Sequence, residues 1–108
     1  MEAQLRIYTI KPDHFEAWLD EWREHIAPLR ERLGFRVLGP WIDDETRTFV
    51  WILEYDRDDG FAAADARYYE SEERRSLDPD PARHLASTEA RLLRRLPPRG
   101  VEGGAASH

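Results

Sequence analysis

Six aromatic side chains with polar tips (Tyr8, Trp41, Trp51, Tyr55, Tyr68 and Tyr69) and four histidines (His14, His25, His84 and His108) carry the chemistry this 108-residue chain offers. Flat aromatic groups wall pockets for planar apolar molecules, and a phenol O–H or indole N–H can orient or protonate what is held there. The plain alternative is that the same residues form an interface core, where Trp and Tyr are enriched. His14 and His25 lie on one candidate helix, about 16 Å apart, too far to share a metal ion. Either alone is a candidate base or haem ligand, set against the reading that both mark the polar margin of that helix. His25 is the stronger of the two, because it lies opposite the kink expected from Pro28. His84, beyond Asp78-Pro79-Asp80-Pro81, is placed to reach a cleft from its connection. Arg6 and Arg36 alternate onto otherwise apolar strand faces, and Glu54 stands on the face opposite Trp51. A buried carboxylate paired with an arginine is either a structural ion pair or a tuned acid or base. The chain has no Ser-His-Asp order, glycine-rich phosphate loop or HExxH run.

Composition narrows the classes. A net charge of -6 with 22 acidic residues argues against nucleic acid, which requires a concentrated basic face. The arginines at 74, 75, 91, 94, 95 and 99 are interleaved with acids at the first two positions and read as a solvated face. Zero cysteines exclude disulfides, Cys-based zinc sites and thiol catalysis. No apolar run reaches the length of a signal peptide or of a membrane span, so a cytoplasmic protein is expected. A domain of this size buries only about 60 to 70% of its unfolded-chain surface and has little core to spare for a deep private pocket. Sharing one with a second copy relieves that limit.

The elements that must position these groups begin with Asp13 to Leu33, one amphipathic helix. Phe15, Trp18, Leu19, Trp22, Ile26, Leu29 and Leu33 fall within an arc of roughly 100°. Asp13 with Glu16 predicts a capping box, Gly34 predicts the C-cap, and Pro28 predicts a kink near Glu24 or His25. Alternation predicts strands at 4–10, 35–42 and 47–55, the second interrupted by Gly39-Pro40 and therefore an edge or a bulge. The third carries Val50 and Ile52 on one side and Phe49, Trp51, Leu53 and Tyr55 on the other. A strand apolar on both faces is covered on both, by helices on one side and by a partner on the other. Helical spacing resumes over 60–69, and Ser71 predicts the N-cap of a short piece over 72–77. Residues 82–96 have helical propensity, but the topology needs a returning strand, placed at 88–96. Pro97-Pro98 ends it, and 98–108 reads as a flexible tail outside the 1–97 domain.

Strand, Trp-bearing helix, two strands, helix and closing strand make the ferredoxin-like β-α-β-β-α-β order, α+β with an antiparallel four-stranded sheet. Leu5-Arg6-Ile7-Tyr8-Thr9-Ile10, Phe15 with Trp18 and Trp22, Gly34-Phe35, Trp51, Tyr68-Tyr69-Glu70-Ser71 and Leu92-Leu93-Arg94-Arg95-Leu96-Pro97 together resemble the NIPSNAP family of the dimeric α/β-barrel superfamily. The resemblance spans about residues 4–97. It implies a homodimer whose two sheets pack face to face with the helices outside. Relatives on this scaffold include cofactor-free monooxygenases, haem-degrading enzymes, chlorite dismutase-type haem proteins and small-ring isomerases, so fold alone does not supply function. The leading expectation is a protein that binds a small apolar or aromatic molecule between sheet and helices, with cofactor-free chemistry and no metal if it is an enzyme. Its proton shuttle would be His25, its oxyanion donor Tyr8 or Tyr68, and its stacking wall Trp51. Trp18, Trp22, Trp41, Tyr55, Tyr69 and Arg6 complete the expected ligand-binding set. Two alternatives stand beside it, a non-catalytic assembly or stress protein whose aromatic faces serve dimerisation, and a haem-binding protein.

Overall fold

The computed structural model describes residues 2–96. The tail expected over 98–108, with Arg99 and His108, lies outside the described residues, as does the Pro97-Pro98 stop. Strands β1 (Glu2–Ile10), β2 (Arg36–Asp43), β3 (Thr48–Tyr55) and β4 (Leu85–Leu93) form one sheet in the order β2-β3-β1-β4. Every neighbouring pair is antiparallel. Between them run α1 (Phe15–Glu21), a π-helical turn (Trp22–Ile26), α2 (Ala27–Arg32), α3 (Phe61–Glu70), α4 (Glu72–Arg75) and a 3-10 turn (Pro81–His84). This is the ferredoxin-like α+β arrangement that alternation and helical spacing predict.

The sheet has two unlike faces. Arg6, Tyr8 and Ile10 of β1 and Phe49, Trp51, Leu53 and Tyr55 of β3 are buried under the helices. Trp18 and Trp22 stand over Phe49 edge-on, with ring centroids 5.5 and 5.2 Å away, and Trp22 meets Trp51 at 5.4 Å and 90°. Edge-to-face pairs of this kind add to what burial alone contributes. On the other face Leu5, Ile7, Val50, Ile52 and Leu38 are only half-buried, and Trp41 is 56% exposed. The register sets Leu5 and Leu38 on either side of Ile52, and Trp41 beside Val50. An apolar stripe thus crosses three strands.

Several local expectations need correction. Asp13 adopts φ 67°, which takes it out of the helix, so the Asp13–Glu16 capping box does not form. His14 is the N-cap, without a side-chain cap bond, and its carbonyl accepts from Trp18 N–H at 2.9 Å. Where Pro28 predicts a kink, near Glu24 and His25, the helix runs through the π turn, whose Ala27 N–H reaches back to the Trp22 carbonyl. A proline supplies no N–H to the carbonyl four residues earlier, and a wider turn accommodates that loss. The closing strand begins at Leu85, three residues before the expected start, because the 3-10 turn is short and Lys11 N–H already bonds the His84 carbonyl at 2.9 Å. Gly34, at φ 101°, ends α2 as expected and donates to the Glu31 carbonyl at 3.0 Å. Ser71 caps α4, its Oγ accepting from Arg74 N–H at 3.1 Å. The predicted Gly39-Pro40 irregularity is a register shift between Leu38 and Trp41 on edge strand β2.

Candidate functional site

The helices cover β3 and β1 but leave the inner face of β4 open, since Thr88 and Ala90, opposite Tyr8 and Arg6, are exposed. A cleft of about 340 Å³ results, walled by Tyr8, Trp18, Trp51 and Tyr68 and rimmed by Tyr69. This is at the lower end of the range for small-molecule sites. Among the described residues a wider depression of about 670 Å³ adjoins it, sharing Tyr69, Arg74 and Ala82.

At its base lies an ion-pair network. The Asp65 carboxylate accepts from Arg6 Nη2 at 3.0 Å and from Arg30 Nη1 at 2.8 Å through the same oxygen, Oδ1. Both arginines are buried, Arg30 to 1% exposure. A buried guanidinium is tolerated only when paired and well hydrogen-bonded. Arg30 also lies 3.6 Å from the Tyr68 ring centroid and 4.7 Å from that of Phe35, so its flat faces are covered by aromatic rings. Arg6 spends its other donors within the cleft. Its Nε donates to Gln4 Oε1 at 2.7 Å, and its Nη1 donates to the Tyr69 hydroxyl at 3.0 Å and the Tyr8 hydroxyl at 3.4 Å. Burial opposes charge on Arg6, but the neighbouring Tyr8, Tyr69 and Asp65 outweigh it and keep the guanidinium protonated.

Tyr8 and Tyr68 are held as neutral acids at physiological pH. Burial pushes the Tyr8 hydroxyl up from its ordinary value, against the pull of Arg6. Tyr68 is likewise pushed up by burial, with Arg30 and Arg74 opposing. Trp51 Nε1 also favours a Tyr8 anion, yet it makes no hydrogen bond among the described residues.

Of the residues singled out in the sequence, Arg6, Tyr8, Trp18, Trp51, Tyr68 and Tyr69 converge on this cleft. Four members of the expected catalytic and ligand-binding set stand elsewhere. Trp22 is packed into the core beside Phe49 and Trp51. Tyr55 is buried against Phe35, its hydroxyl donating to Asp59 at 2.8 Å and accepting from Arg67 at 3.0 Å. Trp41 lies on the opposite face of the sheet. His25 has a side chain 48% exposed, 3.9 Å from Glu24, and borders a separate depression with Pro79 and Pro81. Its position on the π turn points it away from the cleft that would need a proton shuttle.

Glu54 meets Arg36 at 3.7 Å and Arg95 at 3.8 Å on the outer face, the expected pairing of a carboxylate with arginine, while Arg6 pairs with Asp65 inside. Sequence reading missed Asp65, Arg30 and Arg74. The signal was present for two of them: Arg30 follows Ile26 by four on the buried stripe of α2, and Asp65 sits one residue from Ala64 on the buried line of α3. A charge on the inward line of each of two helices suggests an ion pair between them.

The histidines make a structure of their own. His84 is buried, its Nδ1 lies 2.9 Å from His14 Nδ1, and its Nε2 lies 3.1 Å from Glu21. Glu21 also accepts from both terminal nitrogens of Arg83. Burial would raise its pKa, but the hydrogen bonds from Arg83 and His84 hold the carboxyl below its ordinary range. This cluster ties the start of α1 to the start of β4, the two elements flanking the cleft. Among the described residues no group of three or more His, Asp or Glu side chains is arranged to hold a metal ion, and no helix is long and apolar enough to cross a membrane.

Comparison with known proteins agrees with this architecture. The NIPSNAP family model matches residues 2–98. A NIPSNAP domain protein from Burkholderia xenovorans superposes with a TM-score of 0.77 at 19% identity, covering 89% of this chain and 95% of that one. A NIPSNAP family protein from Agrobacterium tumefaciens gives 0.78 at 18% identity, with 88% and 92% covered. An antibiotic biosynthesis monooxygenase gives 0.68 at 21% identity, with 90% and 100% covered. At these identities the likeness is one of fold. No curated protein matches the chain. With the family model spanning the whole of the described sheet and helices, the chain belongs to the NIPSNAP family.

Proposed function

We propose that this protein binds a small planar aromatic molecule in the cleft between sheet and helices and polarises an oxygen of that molecule through the hydroxyls of Tyr8 and Tyr69. One observation carries this reading. Arg6 Nη1 donates to both phenol oxygens, so each O–H is left to donate outward, toward an acceptor supplied by a ligand. A hydroxyl that itself accepts a charge-assisted bond is a stronger donor. Trp18, Trp51 and Tyr68 provide the flat walls.

The same pair of donors would stabilise a ligand bound as its enolate, the charged form that cofactor-free oxygenation and isomerisation pass through. Such chemistry is our reading of the site for a NIPSNAP member and would fit the monooxygenase-like fold. Haem fits less well, because among the described residues no histidine lines the cleft to serve as an axial ligand. The apolar stripe on the opposite face is the proposed seat of a second copy, giving a homodimer with the helices outside.

Equilibrium dialysis with 2-acetylnaphthalene tests the ligand reading. Saturable binding is expected, weakened about tenfold in the Tyr8→Phe/Tyr69→Phe double variant, which keeps the rings and removes both donors. Equal binding by the two proteins would remove the hydroxyls from the account, and no saturable binding would remove the site.

A further inference from the structure

We infer that the ligand of this cleft is an anion, a planar aromatic molecule bearing a carboxylate or an ionised enol or phenol. The inference rests on the cleft being a binding site and concerns the chemical class of its occupant.

The charges around the cleft do not balance. Glu89 at the rim is neutralised by Arg91, and Arg74 is paired with Asp80 at 3.0 Å. That leaves Arg6 and Arg30 sharing the single carboxylate of Asp65, and so one buried positive charge in surplus. The chain as a whole is acidic, with a net charge of -6, so this surplus is not a sample of a generally basic surface. It is placed against the overall charge, where a low dielectric magnifies its worth.

The hydrogen-bond inventory has the same sign. Arg30 Nε, Arg74 Nε, Trp18 Nε1 and Trp51 Nε1 belong to residues that line the cleft, are buried, and lack an acceptor among the described residues. Trp18 and Trp51 are 2% and 1% exposed, and Arg30 is 1% exposed. All four groups are donors. The O–H groups of Tyr8 and Tyr69, left free by Arg6, add two donors at the cleft itself. Buried donors without acceptors are costly, and Trp22 Nε1 in the core is a further one. A neutral hydrocarbon would leave them unmet, and a cation would add to the surplus. An anion balances the surplus charge, and its oxygens accept from the Tyr8 and Tyr69 hydroxyls.

Three probes of one shape separate this inference from the reading it rests on: 2-naphthoate, its neutral isostere 2-naphthamide, and 2-naphthylmethylammonium, each measured by equilibrium dialysis against the full chain. The naphthoate is expected to bind about tenfold or more tightly than the amide, with the ammonium weakest. Amide and acid binding equally well to the wild type, or the ammonium binding best, would overturn the anionic assignment and leave the cleft as a site. If none of the three binds, the site and the assignment fall together.

Discussion

Replacing Asp65 with alanine is expected to cost about 3–5 kcal/mol, because the substitution leaves two buried guanidinium groups facing one another without a counter-charge. For a domain of this size, whose total stability is about 5–15 kcal/mol, that is a large fraction. At roughly 4–8 °C per kcal/mol the melting temperature is expected to fall by about 12 °C or more, which thermal unfolding followed by circular dichroism would read. The control is the double variant Asp65→Ala/Arg30→Met. Removing one surplus charge along with the carboxylate is expected to recover part of the loss, since an apolar side chain of similar length can lie on Tyr68 where the guanidinium now does. A fall of less than about 3 °C for Asp65→Ala would mean that solvent reaches and screens the two arginines, and that the network does not hold α2 and α3 to the sheet.

The second large effect concerns assembly. Ile52 lies at the middle of the outer apolar stripe, between Leu5 and Leu38 in register. In a two-fold dimer built on this face each substitution is met twice, because the same patch is used by both copies. Ile52→Glu would therefore bury two unpaired carboxylates in one interface, and dimerisation is expected to weaken by about a hundredfold or more. Sedimentation velocity at micromolar concentration is expected to show a dimer for the wild type and a monomer for Ile52→Glu. The side chain points away from the core, so the fold and the cleft remain as internal controls. A wild type that sediments as a monomer at that concentration would leave the stripe wet and remove the proposed partner.

How far the sequence could be read depended on whether a signal was periodic or spatial. Alternation in β1 and β3 and the apolar arc of the first helix are periodic, and the sheet, its central strands and the buried face of the helix follow from them. The returning strand β4 required topology to override a helical composition, and its start was misplaced because a four-residue 3-10 turn leaves little periodic trace. Asp13 fits a capping box in sequence yet takes a left-handed conformation, since the chain must turn sharply between β1 and α1. The candidate site is spatial. Tyr8, Trp51 and Arg6 were legible because alternation in β1 and β3 sets them apart from the opposite face, and Tyr68 because it lies on the buried line of α3. The contacts of Asp65 with Arg6 and Arg30 span 59 and 35 residues, and no local pattern announces a pairing at that distance. The histidines misled for the same reason. His25 stood out by its place opposite Pro28, whereas His84, whose side chain is locked between His14 and Glu21, stood out only by its loop.

The central claim is that a planar guest sits on the inner face of the sheet, against Trp18 and Trp51, and nowhere else. Four indole N–H groups report on it in a single spectrum, because Trp18 and Trp51 line the cleft, Trp22 lies in the core beside it, and Trp41 stands 56% exposed on the opposite face. Titration of the 15N-labelled protein with 2-acetylnaphthalene, the four signals assigned by Trp→Phe substitution, is expected to shift the Trp18 and Trp51 indole resonances saturably while Trp41 stays in place. A saturable shift of Trp41 with Trp18 and Trp51 unmoved would place the guest on the outer face and contradict the account.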